Sequence, residues 1–258
     1  MNYMGSKARI AKHIVPIIQK YIDDNNIHYY LEPMCGGCNV IDKVKCDHKI
    51  AYDVNKYLIS LLIHVKSGGK LPDKISKEMY DWARKVWQMG NEEHIFTDWM
   101  IGCIGFLCSY NGRFFDGGYS YDGYEHRKDG TVIYRNYYNE RCKNLLDQAK
   151  KPGFQEIAFG ISDYRDLVKP TSFMGDYWKN LIYFDPPYAS KKQYANSKNF
   201  NYEEFWNTVR QWSRDSIVLV SELEAPDDFE CIWEQEVSRS IKAKDKMVAN
   251  EKLFKWKG

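Results

Sequence analysis

The chain places Leu181-Ile182-Tyr183-Phe184 directly ahead of Asp185-Pro186-Pro187-Tyr188. Four apolar residues predict a buried strand. Two successive prolines end it, because neither has an N–H to give to a sheet and both fix φ. A rigid loop of this kind would present the Asp185 carboxylate, the Pro186 carbonyl and the Tyr188 ring in one concave spot. Those groups match an exocyclic NH2 on a flat heterocycle: two acceptors for its two hydrogens, and an aromatic face for the ring. A plain strand-ending turn with a capping aspartate could carry the same residues, so the tetrapeptide needs support from elsewhere.

Two further segments supply it. Glu32-Pro33-Met34-Cys35-Gly36-Gly37-Cys38-Asn39 follows a short apolar run. Glycines in a turn between a strand and a helix let a bulky ligand approach the backbone closely. Asp53 closes the next run, Lys49-Ile50-Ala51-Tyr52, where an acidic side chain can accept from both hydroxyls of a ribose. Taken singly, Asp53 is equally an Asx cap of the helix that follows. Cys35-Gly36-Gly37-Cys38, with Cys46 and His48 nearby, has the outline of a zinc site. Its later spacing differs from that of zinc knuckles, and no metal is expected.

The elements that must position these groups follow from periodicity. Residues 7–22 carry apolar side chains at 10, 14, 17, 18 and 21, a helical stripe interrupted by Pro16. Strands are predicted at 29–33, 49–53, 154–161, 181–184 and 217–220, and helices at 56–65, 77–89, 96–108, 137–150 and 202–212. A helix should also begin at 40–44. Asn55 is placed to cap the helix at 56, and Glu203 and Glu204 sit in a first turn, where the macrodipole favours anions. Glu230 to Ile241 and Glu251 to Trp256 form a final pair joined by a lysine-bearing loop. The Gly-, Tyr- and Asp-rich run 111–124 predicts turns and an exposed loop or hairpin. Strands alternating with helices predict an α/β fold with a mostly parallel, doubly wound sheet, its ligands at the carboxyl ends of the strands.

Composition bounds the partners. A net charge of +2 neither demands nor excludes a polyanion, so the placement of charge matters more than the total. Seven cysteines, an odd number without a secretory signal, suggest reduced thiols. No apolar run approaches the roughly 20 residues that span a bilayer. A cytoplasmic protein is expected.

The motifs together resemble the Dam family of DNA adenine methyltransferases, the D12 class, in the motif order of its α group. Tyr3-Met4-Gly5-Ser6-Lys7 is similar to the family's W/Y-x-G-x-K, and Glu32 to Val40 to its E-P-F-x-G-x-G-x-V. Ala51-Tyr52-Asp53-Val54-Asn55 resembles A-D-x-N, Asp185 to Tyr188 is the DPPY tetrad, and Tyr110-Asn111-Gly112 is similar to Y/F-N-G. Ser238-Arg239-Ser240-Ile241 loosely resembles a late R-x-I segment. The sequence departs from the pattern at Met34, where Phe is usual, and at Cys38, where a final Gly is common.

The resemblance implies a Rossmann-like S-adenosylmethionine-dependent methyltransferase fold. Residues 1–66 and 151–258 would form the catalytic domain, and 67–150 a largely helical target-recognition insertion. It implies a bacterial or phage enzyme that transfers a methyl group from S-adenosylmethionine to N6 of adenine in double-stranded DNA; the oligomeric state is left open, a monomer included. Base flipping and direct in-line transfer would be the route. Tyr3, Lys7, Pro33, Gly36, Gly37, Asp53, Asp163 and Asp185 would bind the donor; Asp185, Pro186, Pro187 and Tyr188 would act on the amine. In the insertion, Asn111, Arg113, Tyr119, Tyr121, Arg127, Lys128 and Arg135 are suited to phosphates and base edges. Lys191, Lys192, Lys242, Lys244 and Lys246 could add phosphate contacts. GATC is the family's commonest target. Alternatives are N4 methylation of cytosine, by the same chemistry, and a catalytically silent nucleic-acid-binding relative.

Overall fold

The computed structural model describes residues 1, 3, 5–127, 129–167, 180–188, 200–242 and 245–258; over 238–242 and 245–249 it describes the backbone alone. Lys128, Lys191, Lys192 and Lys244, the side chains of Lys242 and Lys246, and those of the 238–241 segment thus lie outside the described residues. The chain divides into two compact units. One comprises Met1–Ala11, Gly36–Lys43 and Asp53–Ile161; the other comprises Lys12–Cys35, Val44–Tyr52 and Ser162–Gly258.

The second unit is built on a sheet. Strand β1 (Tyr29–Glu32) runs parallel to β2 (His48–Asp53), with Leu31 beside Ile50, and parallel to β6 (Asn180–Phe184), with Leu31 beside Ile182. On the other side of β6 lies β7 (Ile217–Glu222), again parallel, with Ile182 beside Val218. All five residues of β6 are buried, as a central parallel strand covered on both faces requires. Helix α7 (Tyr202–Ser213) connects β6 to β7, and Asn201 caps it by accepting from the Glu204 N–H at 3.1 Å. Its inner face (Phe205, Trp206, Val209, Trp212) packs with Ile182, Phe184, Val218 and Val220. Each such fully buried side chain contributes about 2 kcal/mol. Strand β9 (Asp245–Trp256) is antiparallel to β7 and lies between it and β8 (Phe229–Lys242). Parallel strands with one reversed strand threaded near the edge make the Rossmann-like α/β fold that the sequence predicts. The carboxyl ends of β1, β2 and β6 lie at one edge, and the Asp185 loop starts there.

Helix α1 (Ala11–Asn25) starts later than its apolar stripe suggests, because Lys7–Arg9 form a 3₁₀ turn whose Ser6 cap accepts from the Ala8 N–H. Pro16 sits inside α1, where it leaves the Lys12 carbonyl without its helical donor.

In the first unit, α2 (Lys56–Lys66) buries Tyr57, Leu58, Ile59, Leu61, Leu62 and Val65. Helix α3 (Lys77–Gln88) follows, and α4 (Asp98–Gly102) continues into a π-helical turn at Cys103–Leu107 that is wholly buried. Helix α5 (Tyr137–Ala149) closes the predicted insertion. The hairpin expected around 111–124 stands further along, as β3 (Gly123–His126) paired with β4 (Val132–Arg135). Pro152 opens a short helix, α6 (Pro152–Gln155), so the strand predicted from 154 is shortened to β5 (Ile157–Ile161).

The helix predicted to begin at 40–44 does not form; these residues make turns. Two causes act together. Cys38 adopts φ +55°, outside helical backbone, and the Gly37 and Cys38 carbonyls accept from the Gln148 side chain instead of from a following helical N–H. Val40, Ile41 and Val44, β-branched and buried, offer little helix propensity in return. Among the described residues, no helix is long and apolar enough to cross a membrane.

Asn55 does what its position predicts: its Oδ1 accepts from the Tyr57 and Leu58 N–H groups at 3.1 and 3.2 Å. Replacing Asn55 with Ala should cost about 1 kcal/mol. Urea denaturation should show a lower midpoint at an unchanged slope.

Candidate active site

The first unit gathers five of the residues predicted to bind the donor. Gly36 has φ +48°, and a Cβ there would lie 2.8 Å from the Tyr3 ring; one on Gly37 would lie 2.8 Å from the Asn39 amide. The close approach that these glycines permit is therefore made by Tyr3 itself, whose ring also contacts Phe106 at 5.7 Å between centroids. Asn39 donates to Ser6 Oγ at 2.8 Å and fastens the 3₁₀ turn that carries Lys7 against the glycine turn. Lys7 is buried, at 6% exposure. Asp53 accepts from the Gly36 N–H at 3.1 Å and from the Asn55 N–H at 2.9 Å. One bond per carboxylate oxygen leaves further lone pairs on each, so Asp53 can hold the turn and still accept from a ribose. Burial pushes its pKa up to about 6, against the two backbone bonds, which act to lower it.

Cys38 stands where the pattern that the sequence resembles commonly has a glycine. Its backbone is left-handed, which costs a residue with a Cβ roughly 1 kcal/mol or more. Its side chain is fully buried in compensation.

The second unit holds Pro33, Asp163 and the 185–188 loop. Pro33 begins the turn after β1, and the Cys35 N–H continues the β1–β2 ladder by donating to the Tyr52 carbonyl at 2.8 Å. Asp185 is half-buried and Pro186 buried. The Tyr188 ring is 6% exposed, and its hydroxyl donates to Glu251 on β9. Tyr202, from the first turn of α7, donates to the Pro187 carbonyl at 2.6 Å. Asp163 caps a 3₁₀ turn at Tyr164–Asp166, and both of its oxygens accept from Arg165, at 2.9 and 2.8 Å. That pairing holds its pKa below the usual carboxylate range.

The residues proposed for DNA separate into two groups. Asn111, at φ +53°, Arg113 and Arg127 are exposed, on loops and at the hairpin turn. Tyr119 and Arg135 are engaged within the unit. The Tyr119 hydroxyl donates to the Ile75 carbonyl at 2.6 Å, and Arg135 is held between Glu125 and Glu140. Tyr121 stacks on Tyr138.

Three structural partners escaped prediction: Gln148, Tyr202 and Glu251. The Gln148 amide donates to the Gly37 and Cys38 carbonyls, each at 3.1 Å, and to Asp42. Its signal is a polar residue on the buried stripe of α5, with Leu145 and Ala149. Glu251 shows the same signal on a strand, one step of alternation from the fully buried Leu253.

Residues 3–176, about two thirds of the chain, match the model of the family described as D12 class N6 adenine-specific DNA methyltransferase. The chain belongs to this family. Membership decides for adenine over cytosine, and for an enzyme over a silent binding protein. No curated protein matches the chain. Among solved structures, the rRNA methyltransferase AviRa from Streptomyces viridochromogenes is 9% identical. That alignment spans 99% of this chain and 86% of AviRa, with a TM-score of 0.41. SMU.472 complexed with SAH is 9% identical over 98% of this chain and 52% of its own, with a TM-score of 0.40.

Asp53 gives this D12-class methyltransferase a pH signature. With a folded pKa of about 6, above the ordinary 3.8, the native state holds the proton more tightly than the unfolded state. The stability that Asp53 contributes is greatest below about pH 4 and is lost as pH rises through about 6. D53N should therefore gain on the wild type by about 2 kcal/mol between about pH 4.5 and 7. Urea midpoints of both proteins at the two pH values measure the gap, and a constant gap would show that Asp53 titrates normally.

Proposed function

We propose that this D12-class methyltransferase transfers the methyl group of S-adenosylmethionine to N6 of adenine in double-stranded DNA, with the base turned out of the helix onto Asp185–Tyr188. The family match carries the reaction. It ends at residue 176. The assignment of the tetrad is supported instead by the position of Asp185, the first residue after the all-buried β6.

The amino lone pair of adenine is delocalised into its ring and is a poor nucleophile. Accepting its two hydrogens at the Asp185 carboxylate and the Pro186 carbonyl favours a pyramidal nitrogen, aligned for in-line attack without a covalent enzyme intermediate. The nitrogen becomes acidic only once methylated, so Asp185 serves as acceptor and positioner more than as a strong base. A ring as buried as that of Tyr188 is reached only by a base that has left the stack, at a cost of a few kcal/mol. The donor supplies an electrophilic methyl group on a sulfonium. We assign its ribose to Asp53, its amino-acid end to Lys7 and the Gly36–Gly37 turn, and further contacts to Tyr3, Pro33 and Asp185. Asp163, occupied by Arg165, is the weakest member of that set.

Residues 67–150 serve as the target-recognition segment in this reading, and 1–66 with 151–258 as the catalytic part. Asn111, Arg113 and Arg127 are its accessible DNA ligands, joined by Tyr110, Tyr124 and Tyr134, which are more than half exposed. GATC is the first target to test. In this reading the enzyme works in the cytoplasm, with its DNA.

Expression in a methylation-deficient bacterium, with single-molecule sequencing of the DNA, tests the reading. Methyladenine at a defined sequence is expected; methylcytosine, or no modified base, overturns it. D185A should abolish transfer, and residual turnover above about one hundredth of wild type would sink the assignment of Asp185. R113A/R127A should weaken DNA binding and reduce its log–log salt slope by about two. R135A should instead lower the thermal midpoint, since its partners are Glu125 and Glu140.

A further inference from the structure

Three phenolic hydroxyls fix the segment that carries the tetrad. Tyr183, on β6, shares a hydrogen bond of 2.7 Å with Ser221 on β7; Tyr202 holds the Pro187 carbonyl; and Tyr188 donates to Glu251 on β9. The first two partners are ordinary polar atoms. The third is a carboxylate at 6% exposure, on a strand whose inward neighbour Leu253 is fully buried. A carboxylate in such a place costs several kcal/mol unless it is hydrogen-bonded, and an apolar side chain would serve stability better. The group that this carboxylate accepts from is the aromatic residue of the tetrad.

We propose that Glu251 is a positioning residue for methyl transfer: by accepting the Tyr188 hydroxyl, it sets the ring against which the extruded adenine is received. The inference rests on the assignment of Asp185–Tyr188 as the amine-binding loop. Tyrosine is suited to such a role because an anchor at the para oxygen fixes the direction of the ring's long axis, and with it the place of the ring, while rotation about that axis is limited by the packing of a buried side chain. Burial, and then the charges of Asp185 and Glu251, raise the phenol well above its usual pKa, so Tyr188 stays protonated and remains a donor. A hydrogen bond to a buried carboxylate is stronger than one to a neutral acceptor, which suits a ring that must hold its angle while a base slides against it.

The test is a double-mutant cycle on the full-length enzyme, using S-adenosylmethionine with a labelled methyl group and plasmid DNA. Y188F keeps the ring and removes the anchor; E251L removes the acceptor. Each should lower kcat about tenfold while KM for S-adenosylmethionine stays within about twofold. Y188F/E251L should fall well short of the hundredfold product of the single losses, because both single variants lose the Tyr188–Glu251 bond. E251Q, which still offers an acceptor oxygen, should restore most of kcat. A wild-type kcat in E251L or Y188F, a hundredfold loss in the double variant, or an E251Q as impaired as E251L overturns the proposal. Should E251L not fold, Y188F decides alone. With D185A inactive, these outcomes bear on Glu251 only, whereas an active D185A would remove the loop assignment itself.

Discussion

A strand that ends in a tight turn of non-helical backbone, and then stays buried, must find a partner for every N–H and C=O it carries. Residues 36–38 face that demand without a helix or a ladder to meet it. The structure answers with side chains borrowed from distant parts of the sequence. Asp53 accepts from the Gly36 N–H, and Gln148 donates to the carbonyls of Gly37 and Cys38. Left unmet, each of these groups would cost about 1 to 3 kcal/mol. The glycine turn therefore keeps its shape only while the end of β2 and the last turn of α5 are in place. Those contacts tie a turn proposed to hold the donor to the segment proposed to read DNA.

The same rule of satisfied polar groups explains what could be read from the sequence. Strand β6, the cap Asn55 and helix α7 were legible because each rests on local signals: an apolar run, a capping side chain, a stripe at helical spacing. The helix expected at 40–44 failed because its competitor, Gln148, lies more than a hundred residues away. Likewise, sequence does not show that Arg135 pairs with Glu125 and Glu140, or that the Tyr119 hydroxyl donates to the Ile75 carbonyl, since those partners lie elsewhere in the chain. Sequence identifies residues capable of a contact; the fold decides which are already spent. Asn111, Arg113 and Arg127 are the ones it leaves outward.

Function was more legible than mechanism. Lys7, the glycine turn, Asp53 and the 185–188 tetrad, in that order, gave the family, and the match over 3–176 established it. The groups that aim those residues did not show, because a Gln on a helix stripe or a Glu on a strand reads as a lapse in an apolar pattern. Buried polar residues at inward positions are better treated as signals than as exceptions.

The anchoring of Tyr188 also sets an order of events during synthesis. Its acceptor is 63 residues further along the chain. At about 5 to 20 residues per second, roughly 3 to 13 s pass between the appearance of the tyrosine and that of its glutamate. Strands β1, β2, β6 and β7 are all made by then, but β9, which slots between β7 and β8, is not. On the ribosome the parallel scaffold can therefore assemble before the Tyr188 hydroxyl has its acceptor.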